Sequence, residues 1–207
     1  MAYDGIVSRY LNRPLSRPAA RALAHTRVTP NAVTSFTILL AIVSGALLAV
    51  GWNIAGGILI QAVSVVDGID GDLARLRGLA TRFGEVFDAV SDRYADAFMI
   101  GGMTIYAARF ESHPHPAAVG MLALGAALIV SYSRARIEAD LTKTHHEALG
   151  NLDSVFGIAS RDVRLLIAAI GAVTGQCYIA LIVLGALSAA AIGWRLAYLR
   201  FRHVGTA

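Results

Sequence analysis

Charge is scarce in this chain. Of its 207 residues only 15% are charged, while 56% are hydrophobic and the mean hydropathy is +0.59. A soluble domain carries about 25% charged residues, so an ordinary soluble domain is excluded and a single membrane domain is indicated. Lysine occurs once, at Lys143; the other basic residues are arginines. Cysteine also occurs once, at Cys177. That excludes an internal disulfide and a cysteine zinc cluster, and leaves Cys177 as a small apolar filler. Residues 1–28 carry five arginines and no uncharged apolar stretch, so no signal peptide is expected. Internal repeats and low-complexity segments are lacking too.

What is present is a series of long apolar runs. Residues 3–27 place Arg9, Arg13, Arg17 and Arg21 four apart among Leu11, Leu15 and Leu23. This suits an amphipathic juxtamembrane helix, broken near Pro14 or Pro18, on an anionic membrane surface. Thr29-Pro30 is a helix start, with Thr29 as N-cap and Pro30 in the first turn. Six spans are expected to follow: about 32–51, 54–77, 82–108, 117–137, 160–173 and 178–198. The second ends in Asp67, Asp70 and Asp72; the third opens with Glu85, Asp88, Asp92 and Asp96. The loop between them is short, so the two acidic ends meet on one side. The charged stretch after 137 reads as a loop with an extended helix end. The fold class is an all-α integral membrane protein, divided into an interfacial segment (1–28) and a six-helix membrane domain (29–207).

Six spans put both termini on one side. Seventeen of the eighteen Lys and Arg fall there, and only Arg109 falls opposite. By the positive-inside rule that side, with the acidic array, is cytoplasmic, and the membrane is the cell membrane. Trp52 and Trp194 lie near span ends, as interfacial anchors do.

The array itself runs Asp67-x2-Asp70-Gly71-x2-Ala74-Arg75-x8-Gly84-x3-Asp88-x3-Asp92. Asp67, Asp70, Gly71 and Ala74 share one helix face; Gly84, Asp88 and Asp92 share another. Ionisable groups at membrane depth are functional candidates by default. Four carboxylates facing one cleft need cations. Oxygen ligands suit Mg²⁺ or Mn²⁺, two ions if all four participate; zinc is disfavoured without His or Cys in the array. Gly71, Ala74 and Gly84 either make room for a ligand or let the helices close together. Arg75 offers a forked cation to a phosphate, which points to a diphosphate substrate.

The chain resembles the CDP-alcohol phosphotransferases, whose signature these residues fill at every fixed position. Thr29-Pro30-Asn31 and Val33-Thr34 extend the resemblance upstream. It implies displacement of CMP from a CDP-alcohol by an acceptor hydroxyl. It also implies Asp67, Asp70 and Asp88 on a first metal, and Asp67, Asp88 and Asp92 on a second. Asp92 would be the general base. Gly71, Arg75 and the Thr81 hydroxyl would contact the CDP portion, with Asn31, Thr34, Ala74 and Gly84 around them. A homodimer in membrane lipid is implied, and no nucleic-acid partner.

Outside the array, Arg134, Arg161 and Arg195 fall on the cytoplasmic side, where they suit an acceptor bearing its own phosphate. This placement resembles members that use inositol phosphate, either phosphatidylinositol-phosphate synthases or synthases of di-inositol phosphate solutes. The former often carry Lys where Arg134 stands. The N-terminal segment looks more like the latter, in which the membrane domain can be fused to a cytidylyltransferase; none is expected within these residues. Glycerol phosphate or another polyol is an alternative acceptor. A divalent-cation transporter is the alternative from another class, although it accounts for neither Arg75 nor acids confined to one side.

Overall fold

The computed structural model describes residues 7–141 and 160–203, and every regular element among them is helical. A π-helical turn, Ser8–Asn12, runs into α1 (Arg13–Ala24). Then follow α2 (Pro30–Ala49), α3 (Asn53–Arg77), α4 (Arg82–Phe110), α5 (Pro116–Leu141), α6 (Arg161–Val173) and α7 (Cys177–His203). A helix lies within a few residues of each of the six expected segments. Thr29 caps α2 as expected, its hydroxyl accepting from Ala32 N at 3.2 Å. The extended end of the fourth span reaches Leu141; the rest of that charged stretch lies outside the described residues.

Among the described residues, four helices are long and apolar enough to cross a membrane: α2, α3, α5 and α7. The other two miss for opposite reasons. α4 has 29 residues, about 43 Å at 1.5 Å each, but its first fifteen include Arg82, Glu85, Asp88, Asp92, Arg93 and Asp96. α6 has 13 residues, about 20 Å against a hydrocarbon core of ~30 Å.

The six long elements close into a ring, each packing on the next in the order α2, α3, α6, α7, α5, α4. Small residues permit the close crossings. A Cβ on Gly102 would run into the backbone of Gly45, and one on Gly45 into the carbonyl of Phe98, so α2 and α4 touch backbone to backbone. Between α3 and α6, a Cβ on Gly57 would lie 2.8 Å from Val173 N. The core is correspondingly rich in alanine (Ala41, Ala95, Ala107, Ala123, Ala168, Ala172), with Leu48, Ile60, Met99, Met103 and Leu181 filling the gaps.

The N-terminal helix is not broken at either proline. Pro14 sits in the first turn, where no amide is needed, and α1 continues through Pro18. The irregularity comes earlier, in the π turn. α1 packs on α3. Asn12, Ser16 and Ala20, four apart, form its buried face. Asn12 donates to Ser64 Oγ at 2.8 Å and accepts from Gln61 at 3.0 Å. Arg77, at the end of α3, donates to the carbonyls of Leu23, Ala24, Thr26 and Val28, which finish α1.

Candidate active site

The array is built by one turn. α3 ends at Gly78, whose φ of +64° favours glycine, and Leu79 N returns to Ala74 O at 2.9 Å. Three residues later Thr81 caps α4, its hydroxyl accepting from Gly84 N at 3.0 Å. The chain therefore reverses within four residues and lays the acidic start of α4 beside the acidic end of α3.

One carboxylate oxygen from each of Asp67, Asp88 and Asp92 lies within 4.8 Å of the other two, a spacing at which three hard oxygen ligands can share a divalent cation. The trio already attracts positive charge. Arg161 Nη1 is 2.8 Å from Asp67 Oδ1 and 2.8 Å from Asp92 Oδ1. Donor type and spacing fit a divalent metal. Asp70 is placed differently from the trio. It is 6% exposed, and its Oδ2 accepts from the Thr34 hydroxyl at 2.5 Å.

Two cavities flank the carboxylates. The larger, about 370 Å³, is lined by Asn31, Thr34, Gly71, Ala74, Arg75, Thr81 and Gly84 together with Asp70 and Asp88. All seven residues assigned to the CDP-alcohol from sequence thus border one space. Gly84 is tight: a Cβ there would sit 3.2 Å from Thr81 Oγ1 and 3.5 Å from Asn31 Oδ1. The second cavity, about 230 Å³, shares Asp70, Gly71, Arg75 and Asp88 with the first, and adds Asp67, Arg161 and Asp162. Arg75 is largely exposed and is steered by Asp72, whose Oδ1 lies 2.6 Å from Nη2.

The three acceptor arginines do not converge in this structure. Arg161 lines the second cavity; Arg134 and Arg195 are not among its lining residues. Arg195 is 7% exposed and donates to Val130 O and, at 2.9 Å, to Ser133 Oγ, tying α7 to α5. Arg134 is exposed on α5.

Sequence reasoning missed three features. One is Asp72, which bridges Arg75 and Arg13 (2.7 Å). Another is Asp96, which binds Arg161. The last is the wall of the second cavity contributed by Ser8, Asn12, Arg13 and Ser16. The four-residue spacing of Ser8, Asn12 and Ser16 was the available signal for that wall.

Comparison with known proteins agrees with this geometry. Residues 27–201 match the family model described as CDP-alcohol phosphatidyltransferase. A bifunctional IPC transferase and DIPP synthase of Rubrobacter xylanophilus is 43% identical over 186 residues, 89% of this chain and 40% of that protein. The chain thus spans about two fifths of that relative's length. A phosphatidylinositol phosphate synthase of Mycobacteroides abscessus is 30% identical over 171 residues, 82% of this chain and 73% of that protein. The crystal structure of Mycobacterium tuberculosis phosphatidylinositol phosphate synthase in complex with manganese and citrate superposes with a TM-score of 0.71 at 26% identity, covering 88% of each chain. A complete signature, the carboxylates it brings together and a family match over most of the sequence have one reading: this chain belongs to the CDP-alcohol phosphatidyltransferase family.

Proposed function

We propose that this chain transfers the substituted phosphate of a CDP-alcohol, CDP-diacylglycerol or CDP-inositol, to a hydroxyl of a phosphorylated polyol, inositol phosphate foremost, and releases CMP. The observation that carries this reading is that two cavities meet at one set of carboxylates. The larger takes the donor and the smaller the acceptor. Their shared border, Asp70 and Asp88 with Arg75, is where phosphorus and hydroxyl come together.

Asp67, Asp70 and Asp88 would hold one divalent cation, and Asp67, Asp88 and Asp92 a second, Mg²⁺ or Mn²⁺. Bound there, the ions supply neutralisation of charge on the departing phosphate. Thr34 holds Asp70 in place through its hydroxyl. Arg75 takes phosphate oxygens in its fork. Asn31, Gly71, Ala74, Thr81 and Gly84 leave room for the rest of the donor. Asp92 accepts the proton of the attacking hydroxyl. The acceptor oxygen then bonds to the phosphorus carrying the donor alcohol, and the bond from that phosphorus to CMP breaks. Arg161 receives the acceptor's phosphate; Arg134 and Arg195 lie outside the lining of that cavity.

In this reading all six of α2 to α7 span the membrane, and residues 1–28 lie at its surface beside the domain 29–207. Both termini and the site face the cytoplasm, which the seventeen-to-one distribution of Lys and Arg supports. The protein works as a homodimer in lipid. The test is CMP release from CDP-diacylglycerol and from CDP-inositol, each crossed with inositol phosphate, glycerol phosphate and other polyol phosphates, with Mg²⁺ present. Release is expected only with an acceptor, and fastest with inositol phosphate. Silence across the whole panel would count against the enzyme reading.

A further inference from the structure

Asp96 lies one helical turn beyond Asp92 on α4, outside the signature, and the roles above leave it unused. It is 4% exposed, and a carboxylate so buried needs a partner. Its partner is Arg161, whose Nε donates to Asp96 Oδ1 at 3.1 Å. The same guanidinium meets Asp67 and Asp92 through Nη1, 2.8 Å from one oxygen of each. The contact through Nε goes to Asp96. Arg93 approaches the other oxygen of Asp96 only to 3.7 Å. Arg164, buried one turn further along α6, donates to Ala127 O at 3.4 Å.

The fork of Arg161 is thus divided. Its Nε end is fixed to the interior of α4. Its Nη1 end lies beside Asp67, at the border of the acceptor-side cavity. A divalent cation and Nη1 would compete for the carboxylates of Asp67 and Asp92, whereas Asp96 lies outside the trio. We infer that Asp96 is a positioning residue: it anchors Arg161 by Nε, so that the guanidinium keeps its place at the border of the acceptor-side cavity when a divalent cation takes Asp67 and Asp92. This rests on the reading of Arg161 as the acceptor-phosphate group.

The experiment uses Asp96→Ala, Asp96→Asn, Arg161→Ala and the double variant Asp96→Ala/Arg161→Ala, each as full chain in detergent. Asp96→Ala is expected to raise the acceptor KM for inositol phosphate roughly tenfold, the worth of one charged hydrogen bond, while kcat and donor KM hold. Asp96→Asn keeps an oxygen for Nε and recovers most of the loss. Mn²⁺ binding, followed by electron paramagnetic resonance without substrates, weakens in Asp96→Ala, because the released guanidinium competes for Asp67 and Asp92. It recovers in the double variant. Unchanged Mn²⁺ binding in both Asp96 variants overturns the inference, as do independent, additive effects of Asp96→Ala and Arg161→Ala. If Asp96→Ala does not fold, Asp96→Asn carries the same comparison at smaller amplitude. A wild-type protein that releases no CMP with any acceptor defeats the functional reading instead. The Mn²⁺ measurement needs no substrate and still decides whether Asp96 restrains Arg161.

Discussion

Thr34 and Asp92 separate two ways in which a residue serves this site. The Thr34 hydroxyl donates to Asp70 at 2.5 Å inside the protein. Thr34→Val preserves shape and removes the donor, leaving a buried carboxylate oxygen without it. Losing a charged hydrogen bond costs about 1.5–3 kcal/mol, so CMP release should fall roughly ten- to hundredfold and the half-saturating Mg²⁺ concentration should rise. A Mg²⁺ titration of activity checks both. Asp92 is instead one of the three carboxylates that could share a cation. Asp92→Asn should lower kcat by about 10²–10⁴-fold, the range of a lost general base, while CDP binding persists by calorimetry. Wild-type kcat in that variant would remove Asp92 as the base. The carboxylates were legible in the sequence because their spacing fixes a helix face. Thr34 was legible only as a residue near the donor; its bond to Asp70 joins positions 36 apart and depends on how α2 meets α3.

At the scale of elements, the crossing of α2 and α4 is the point most sensitive to a single methyl group. Gly45 and Gly102 meet through backbone atoms that cannot shift without moving a whole helix. Gly102→Val should cost about 1–3 kcal/mol through overpacking, lowering the thermal inactivation midpoint in detergent. Gly101, one residue earlier, has open space where a Cβ would go; Gly101→Ala should leave the midpoint near wild type. The limits of α2 to α7 were readable to within a few residues because apolar length and Thr29-Pro30 are local signals. The docking of α1 was not, because Arg9, Arg13, Arg17 and Arg21 suggested an arm lying on lipid. The decisive contacts come from Asn12 to Ser64 and from Arg77 to the end of α1, and both are long-range.

For the whole molecule, the ring of helices carries its charge toward one end. Single cysteines at Arg17 and Ser112, each in a Cys177→Ala background, test the orientation. A membrane-impermeant maleimide added to intact cells should label Ser112→Cys and not Arg17→Cys; inverted vesicles should give the reverse. Labelling of both from one side would break the proposed topology. The sequence by itself determined the all-helical membrane class, the helix limits and the carboxylate face, because each depends on periodicity and composition within one segment. Only the tertiary structure decided the rest: that the seven residues assigned to the CDP-alcohol from sequence border a single cavity, that α1 walls a second, and that Arg161 reaches Asp67, Asp92 and Asp96 across 65 or more positions of chain. Those relations come from helix packing, which places side chains by the close approach of backbones and not by their distance along the sequence.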